Sequence, residues 1–393
     1  MKLRDVFGNL VIVILLILPS AALSNTWYVD GVNGSDSNNC ETASASCKTI
    51  TQAIILASSG DSIMVAPATY YENLTIPISL NIVGANPNTT TIHPAAIGPS
   101  AITIPNAGSQ VALSGLTIAG GRSNRDGGAI SNFGQLMIND CIIANNKAQF
   151  FGGAIASHGT IEGDRALLWI NKSSIFDNEA PQGGGIECSL PSYVVRITNS
   201  TISNNRAVAG NGGGIMGSLG SIKQCELVIV NSTISGNTAG LGGGGGIYGG
   251  ARISSSTISE NSAANGGGIS NLGVEIQNSI LANDGGNCPS SPQNLTSFGY
   301  NLSSDASCPL NSAGDQNSAD LVLGLLQNNG GPTATMAIIL GSPAIDAGNP
   351  AGCTDDPQGG NILEVDQRGD RRPGDPKLTT GCDIGAYEYQ FPK

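Results

Sequence analysis

Two neighbouring stretches of the chain, Asn199-Ser-Thr-Ile-Ser-Asn-Asn205 and Asn231-Ser-Thr-Ile-Ser-Gly-Asn237, carry nearly the same sequence. A third copy is Ser256-Thr-Ile-Ser-Glu-Asn261, and a second motif, Gly-Gly-(Ala/Gly)-Ile, alternates with this one along residues 118–283. Weaker copies of the first motif end at Asn146, Asn178 and Asn283, and copies of the second end at Ile130, Ile155, Ile186, Ile215, Ile247 and Ile269. The chain is therefore built on an internal repeat.

The repeat spacing and the strand-like runs inside it indicate the fold. Successive copies of the Gly-Gly motif lie 22 to 32 residues apart, a period that is typical of solenoids, propellers and arrays. Short β-branched runs such as Val194-Val-Arg-Ile197 and Leu227-Val-Ile-Val230 favour strands, and no repeat contains a long helical pattern. We predict an all-β fold: a right-handed parallel β-helix solenoid, with a short N-terminal capping helix and a C-terminal loop-rich cap.

The two motifs suit the corners of such a solenoid. A corner needs a residue at positive φ, which Gly adopts at the least cost and Asn at the next. Identical corners stack about 4.8 Å apart, so Asn side chains can bond to one another along the stack. We expect Ile202, Ile234 and Ile258 to stack inward as an aliphatic column. At the N-terminus, Thr49-Ile-Thr-Gln52 has the form of a capping box and predicts the helix that covers the first rung.

The first 24 residues have the pattern of a signal peptide. Lys2 and Arg4 precede a nine-residue apolar run, and Ala22 and Ser24 place small residues at a cleavage site. Nine apolar residues are too few for a transmembrane helix, which needs about 20. We therefore expect a secreted bacterial protein, extracellular or held at the cell surface, the outer membrane included, without a transmembrane segment in the mature chain.

The net charge of the chain limits the classes of molecule that it can bind. The chain has a net charge of −12, from 17 Lys and Arg and 29 Asp and Glu. Removal of residues 1–24, which contain Lys2, Arg4 and Asp5, leaves −13. Such an acidic chain is a poor binder of nucleic acid or anionic membranes. We expect an extracellular polysaccharide or a cell-surface partner, and no nucleic acid.

Nine cysteines in an exported chain favour disulfides. Proximity in the sequence suggests the pairs Cys40–Cys47, Cys188–Cys225, Cys288–Cys308 and Cys353–Cys382, although sequence alone does not determine the connectivity. Cys141 is then left over. Because other repeats carry Ser at this position, we expect Cys141 to be a small buried thiol.

Three parts of the chain resemble known families. The N-terminal part resembles pectin-lyase-like secreted proteins, through Tyr28-Val-Asp30, Lys48-Thr-Ile50, Ala53-Ile54, Gly60-Asp-Ser-Ile-Met-Val65 and Thr69-Tyr-Tyr-Glu72. The alternating motifs resemble the repeats of polymorphic outer membrane proteins, with Ile in most places where those repeats carry Phe. These resemblances imply an exported β-helix.

The C-terminal part resembles the choice-of-anchor Q domain of secreted bacterial proteins. The matching stretches are Leu325-Leu-Gln-Asn-Asn-Gly-Gly-Pro-Thr333, Gly341-Ser-Pro-Ala-Ile-Asp-Ala-Gly348, Asp366-Gln-Arg-Gly369, Arg372-Pro373 and Asp383-Ile-Gly-Ala-Tyr-Glu388. We divide the chain into a signal peptide (1–24), an N-terminal cap with the first rungs (25–85), parallel β-helix repeats (86–287) and a choice-of-anchor Q-like region (288–393).

The repeats contain few groups that suit catalysis. A calcium-dependent lyase needs clustered carboxylates and an Arg or Lys base, and a β-helical hydrolase needs paired carboxylates. The densest cluster is Glu162, Asp164 and Arg165, which would share neighbouring rungs with Asp177, Glu179, Glu187 and Arg196. We assign no catalytic residue and keep Glu162, Asp164 and Arg165 as candidates, with solvated loop charges as the alternative.

Two other groups of residues are candidates for binding. Phe133, Phe150, Phe151, Trp169, Phe176 and Tyr193 fall in one third of the solenoid and could form a carbohydrate-binding stripe on one side, with Phe150, Phe151 and Trp169 as its candidates; core filling is the alternative. Asp346, Asp366, Arg368 and Asp383 predict a structural Asp–Arg network. A structural calcium ion held by Asp346, Asp366 and Asp383 is the second interpretation; we assign no other cofactor.

The sequence thus favours a non-catalytic extracellular or cell-surface β-helix scaffold, adhesin-like or glycan-binding. The alternative is a polysaccharide lyase or glycoside hydrolase that acts on an acidic polysaccharide. That alternative rests on the fold alone, and a fold does not determine a function. Three or more carboxylates that converge with an Arg or Lys in one groove would favour the enzyme.

Overall fold

The protein folds as the predicted right-handed parallel β-helix. The computed structural model describes residues 24–158, 167–188, 193–217, 225–270, 273–290, 294–374 and 381–390. Within these ranges three parallel sheets, which we call A, B and C, run along the solenoid, and each rung visits them in that order. All of the predicted signal peptide except Ser24 lies outside the described residues.

The strands are short, and each pairs with its counterpart on the next rung. The strands of sheet A are Thr26–Val29, Ser62–Val65, Leu80–Gly84, Gln110–Ser114, Gln135–Asn139, Leu167–Asn171, Tyr193–Thr198, Cys225–Val230, Ala251–Ser254, Val274–Gln277 and Leu295–Ser297. The strands of sheet C are Leu74–Thr75, Ile102–Ile104, Ile130–Asn132, Ile155–Ser157, Ile186–Cys188, Ile215–Met216, Ile247–Tyr248 and Ile269–Ser270.

Sheet B consists of two rows of stacked strands, a long row and a short row, because the chain forms two consecutive strands of this sheet in several rungs. The long row is Ala68–Tyr71, Thr90–His93, Thr117–Ala119, Ile142–Ala144, Ser174–Phe176, Thr201–Ser203, Thr233–Ser235, Thr257–Asn265, Ile280–Asp284 and Leu302–Ser303. The short row is Arg122–Ser123, Lys147–Ala148, Glu179–Ala180, Arg206–Ala207 and Thr238–Gly243, which pairs with the end of Thr257–Asn265. Outside the solenoid sheets, Leu323–Gln327 and Thr335–Ile338 form an antiparallel hairpin.

Aliphatic columns fill the interior, as the isoleucine spacing predicts. Ile202, Ile234 and Ile258 pair in register and are fully buried, and the isoleucines of the Gly-Gly motif form a second column in sheet C. Burial of each such side chain stabilises the fold by about 1.5–3 kcal/mol. The inward positions of every rung are thus committed to packing, so recognition is left to the outward ones.

The corners confirm the predicted chemistry with one refinement. Asn205 donates from its backbone N and its Nδ2 to Oδ1 of Asn237, both at 2.9 Å, and the same ladder links Asn146, Asn178, Asn205, Asn237, Asn261 and Asn283. The positive φ belongs to the residue before the ladder asparagine, as at Asn204 (φ 53°). In the Gly-Gly motif, the first glycine has the positive φ, as at Gly152.

The N-terminal end is closed as the capping box predicts. The helix Ile50–Leu56 begins after Thr49, whose side chain accepts a hydrogen bond from the backbone N of Gln52. Ile50, Ala53 and Ile54 are buried against the first rung. A 3₁₀ turn, Ala43–Ala45, precedes this helix. None of the helices in the described residues has the length and hydropathy that a membrane span requires.

The C-terminal region extends further than an end cap. Parallel stacking continues past residue 287, through Leu295–Ser297 and Leu302–Ser303. The chain then folds back along the corner between sheets A and B. Gln367 Nε2 donates to the backbone O of Ser200 at 3.2 Å, and Asn349 N donates to Oδ1 of Asn278 at 2.9 Å. The region therefore covers the Asn-Ser-Thr corners of successive rungs.

The structure contains four disulfides, Cys40–Cys47, Cys188–Cys225, Cys288–Cys308 and Cys353–Cys382, which are the pairs suggested by proximity. Cys141 is a free buried thiol. Its backbone N donates to Oγ of Ser173, where a ladder of serines continues along later rungs. Burial raises the pKa of the Cys141 thiol to about 12, so this thiol is an inert packing group.

Candidate functional site

The outer face of sheet A carries a continuous row of side chains. Alternate residues of a strand point outward, and parallel register aligns them from rung to rung. We call this set the outer row of sheet A; its members are Asn81, Ala112, Met137, Trp169, Arg196, Val228, Arg252 and Glu275. The row is uncharged as far as Trp169, and charged side chains begin at Arg196. The face therefore has two chemically different halves.

The uncharged half contains a groove of about 320 Å³. Its lining includes Asn81, Ala112 and Met137 of the outer row, and the side chains of Gln110, Gln135 and Leu167 beside them. Trp169 follows Met137 in the row, half-buried, and its Nε1 lies 3.4 Å from Oγ1 of Thr198. The half thus combines apolar surface and one indole ring with amide donors and acceptors.

The charged half is organised around Arg252. Its Nη1 lies 3.4 Å from Glu226 on the preceding rung and 3.8 Å from Asp356, and its Nε lies 3.2 Å from Glu275 on the following rung. Arg196 Nη2 lies 3.6 Å from Asp355. Three carboxylates therefore converge on one guanidinium, with a second ion pair beside them.

Two of these carboxylates come from the folded-back C-terminal region. Asp355 and Asp356 reach sheet A from that region, and Gln358 Nε2 donates to both carboxylate oxygens of Glu275, at 3.0 and 2.9 Å. Arg252 occupies the space between Glu226 and Glu275, where a hydrolase would need to admit a sugar between its two carboxyl groups. The arrangement fastens a segment of the chain to the sheet.

Only the expected neighbours of the candidate catalytic cluster lie in the described residues. Glu162, Asp164 and Arg165 lie outside the described residues. Their expected neighbours diverge: Glu179 lies in the short row of sheet B, Glu187 in sheet C and Arg196 in sheet A. Among the described residues, these three expected neighbours therefore lie on three different faces of the solenoid.

The candidate aromatic residues also separate, and those that the structure describes do not form a stripe on one side. Trp169 lies on sheet A, whereas Phe150 and Phe151 lie at the corner between sheets B and C. Phe150 is 49% exposed, and the backbone N of Phe151 donates to Oδ1 of Asp126 at 3.2 Å. The aromatic residues therefore belong to two different surfaces.

The aspartates proposed for calcium form a hydrogen-bonded network. Asp366 binds Arg368 at 2.7 Å, and both side chains are almost fully buried. Asp383 accepts hydrogen bonds from the backbone N of Asp346 and of Tyr389. The carboxylates of Asp366 and Asp383 thus already accept hydrogen bonds from a guanidinium or from N–H groups. In the residues that the structure describes, no group of three or more His, Cys, Asp or Glu side chains is placed to hold a metal.

The same network includes a buried ion pair that sequence reasoning missed. Arg372 Nη1 lies 2.8 Å from Glu388, with both side chains inaccessible to solvent, and its Nη2 donates to Oδ1 of Asn231 at 3.1 Å. Burial and the nearby Glu388 raise the pKa of Asp383 to about 7, and burial also raises the pKa of Glu388. The network therefore joins the C-terminal region to a solenoid corner.

Sequence comparison assigns the chain to a family. Residues 32–245, more than half of the 393, match the family described as protein of unknown function DUF1565. The chain belongs to the DUF1565 family. No curated protein matches this family member in sequence.

This DUF1565 member is similar in structure to three solved proteins. Pectate lyase Pel9A has 16% identity and a TM-score of 0.43, over 93% of this chain and 96% of that chain. A rhamnogalacturonan lyase has 14% identity and a TM-score of 0.43, over 81% and 96%. A complex of XylC with xylose has 11% identity and a TM-score of 0.43, over 92% and 98%.

Proposed function

We propose that the protein is a non-catalytic, exported β-helix that binds a neutral polysaccharide along the uncharged half of the outer face of sheet A. The observation that carries the proposal is the groove lined by Met137, Gln110 and Gln135. Trp169 pairs in register with Met137 and so lies on the next rung of the same row. An aromatic ring offers an apolar face to the C–H groups of a sugar. Amides supply the donors and acceptors that sugar hydroxyls need.

The geometry of the row supports an extended polymer as the ligand. Successive rungs repeat about every 4.8 Å, so a linear chain laid along the axis would meet one outward side chain on each rung. None of the described residues that line the groove is charged, so these residues offer no ionic partner to a carboxylate or sulfate group. A neutral glycan therefore fits this half better than an acidic one.

Export and surface location are part of the proposal. The signal-peptide pattern of residues 1–24 supports export, and the four disulfides are compatible with an oxidising compartment. We assign residues 288–393 to a choice-of-anchor Q-like domain that covers the Asn-Ser-Thr corners. In this role the C-terminal region stabilises the solenoid and leaves the uncharged half open.

Calorimetric titration of the mature protein with soluble xylan, mannan and β-glucan fragments tests the proposal. We expect one of these neutral glycans to bind, and Trp169→Ala to weaken its binding at least tenfold, because stacking on the indole ring is lost. Phe176→Ala is the matched control, since Phe176 is a half-buried aromatic residue on sheet B. Gln135→Ala, which leaves the ring in place, should weaken binding less. Equal binding by the Trp169 variant and the parent protein would remove the groove as the site.

The second candidate is a lyase or hydrolase that acts on an acidic polysaccharide. It is favoured by the convergence of Glu226, Glu275 and Asp356 on Arg252, since such enzymes combine clustered carboxylates with a basic side chain. The same cluster is occupied by the C-terminal segment. Incubation of the protein with pectate and alginate distinguishes the two candidates. If unsaturated products or new reducing ends form, and Arg252→Gln abolishes their formation, the protein is an enzyme and the non-catalytic proposal is wrong.

A further inference from the structure

A second row of outward side chains lies at the corner between sheets B and C, away from sheet A. The first residues of four short strands stack in register there, one on each rung: Arg122, Lys147, Glu179 and Arg206. We call these four residues the basic row. Because neighbouring rungs are about 4.8 Å apart, the row is a straight line of about 14 Å parallel to the solenoid axis.

The basic row carries more positive than negative charge on an acidic chain. Lys147 and Arg206 both contact Glu179, and their side chains remain 57% exposed. The row therefore contains one carboxylate, paired with Lys147 and Arg206, and three cations. Arg125, also exposed, lies next to the row, so the corner is positive although the whole chain has a net charge of −12.

The nearby acidic groups do not cancel this charge. Asp126 accepts from the backbone N of Phe151 and lies 3.8 Å from His158, so its carboxylate is engaged at the corner. Asp177 is exposed two residues before Glu179. Among the described residues, the four cations Arg122, Arg125, Lys147 and Arg206 outnumber the three carboxylates Asp126, Asp177 and Glu179, so these side chains together have a net positive charge.

A pocket of about 270 Å³ lies at the Arg122 end of the row. Its walls include Arg122, His93 and the exposed Ile97. Gly120 leaves room for the imidazole, since a Cβ at this position would lie 2.5 Å from Nε2 of His93. The ring of Tyr71, 67% exposed, packs against His93 with 5.4 Å between ring centroids.

An exposed aromatic residue adjoins the row as well. Phe150 lies three residues after Lys147 on the same rung, and its backbone N bonds to the carbonyl O of Arg125. Its ring is 49% exposed. The corner thus offers cations for acidic groups and aromatic faces for sugar rings, and this pairing distinguishes it from a simple surface ion-pair ladder.

We propose that the basic row and its pocket bind a linear acidic polysaccharide, laid along the solenoid axis with one sugar in the pocket beside Arg122. This site is separate from the groove on sheet A and would retain the exported protein on an anionic surface glycan. The straight row, with three cations and one carboxylate, matches a linear polyanion better than a flat membrane. Nucleic acid is disfavoured because the strongly acidic remainder of the chain repels so dense a polyanion.

Affinity electrophoresis and calorimetry of the mature protein with polygalacturonate test the proposal. We expect Lys147→Gln combined with Arg206→Gln to weaken binding about tenfold and to reduce its dependence on salt, because two ion pairs to the ligand are lost. Glu179→Gln should strengthen binding, since it removes the carboxylate that competes for both cations. Lys48→Gln combined with Arg371→Gln is the matched control, because these exposed cations lie elsewhere.

The results of these experiments distinguish a specific polysaccharide site at the basic row from the groove on sheet A and from a general polyanion-binding surface. Unchanged binding by the Lys147 and Arg206 variant, or weaker binding by Glu179→Gln, would overturn the proposal. Equally tight binding of a DNA oligonucleotide or of anionic phospholipid vesicles would show a general polyanion surface and would also overturn it. Trp169→Ala should leave polygalacturonate binding unchanged. The proposal for the groove on sheet A and the proposal for the basic row can therefore be refuted independently.

Discussion

The two halves of the outer face of sheet A share one backbone and differ in what their outward side chains do. From Asn81 to Trp169 the outer row is uncharged and borders an open groove. From Arg196 to Glu275 it carries three charged side chains and Val228, and Asp355, Asp356 and Gln358 contact it. Beneath both halves the same aliphatic column continues in register. A parallel β-helix can therefore change its surface chemistry within one rung and leave its core unchanged.

The C-terminal region decides which half is covered. Along the corner between sheets A and B, a second row of amides links Asn139, Asn171, Asn199 and Asn231, each Nδ2 donating to the Oδ1 of the rung before. Arg372 ends this row by donating to Oδ1 of Asn231. Arg372 thus joins the C-terminal region to the end of the amide row, within the covered half.

Arg372→Met gives the largest expected effect. Methionine removes the guanidinium and leaves Glu388 as a buried charge, which costs about 3–5 kcal/mol. We expect the C-terminal region to open and the solenoid around Trp169 to stay folded. Hydrogen exchange measures both parts in one sample: protection should fall in residues 323–390 and remain in residues 80–171. Arg371→Met, which changes an exposed neighbour, is the control; a uniform loss of protection would contradict the comparison.

The stability of the C-terminal region should also fall as the pH rises. Burial raises the pKa of Asp383 to about 7 from its ordinary 3.8, and raises that of Glu388 in the same direction. Between those values the folded state holds a proton that the unfolded chain releases, so the stabilisation present near pH 4 is lost as the pH passes 7. Chemical denaturation at several pH values, monitored by hydrogen exchange in residues 323–390, should show this decrease in the free energy of unfolding with rising pH. Asp383→Asn should make the free energy less dependent on pH. A stability that rises from pH 5 to pH 8 would refute the assignment.

The sequence predicted the parts of the molecule that repeat. The isoleucine columns, the asparagine ladder and the capping box around Thr49 follow from local spacing, because each rung meets a near copy of itself. The contacts of the C-terminal region with the solenoid corners, which we call the clasp, did not follow from local spacing. Gln367 meets Thr201 across 166 residues, and Arg372 meets Asn231 across 141. The groove beside Trp169 was missed as a site because loops of variable length hide which residues of sheet A stack in one row.

Substitutions in the asparagine ladder should affect both halves alike. Asn178→Ala and Asn237→Ala each remove an Oδ1 that accepts two N–H groups from the preceding rung. Each unsatisfied buried group costs about 1–3 kcal/mol. Chemical denaturation of the two variants should give similar losses, although one rung lies under the open half and the other under the covered half. A much larger loss at Asn237 would mean that the clasp extends into the core of its rungs.

Arg252→Met should have the smallest effect and the strongest dependence on salt. The side chain is 30% exposed, and its carboxylate partners are likewise partly exposed, so its ion pairs stabilise the fold by no more than about 1 kcal/mol. Screening at 1 M salt should remove most of the difference between variant and parent. Met137→Gln, a change on the open half of the same row, should show no such salt dependence. If Arg252→Met were as damaging at high salt as at low salt, Arg252 would act through packing, and the division of this face into a charged, clasped half and an uncharged, open half would lose its electrostatic basis.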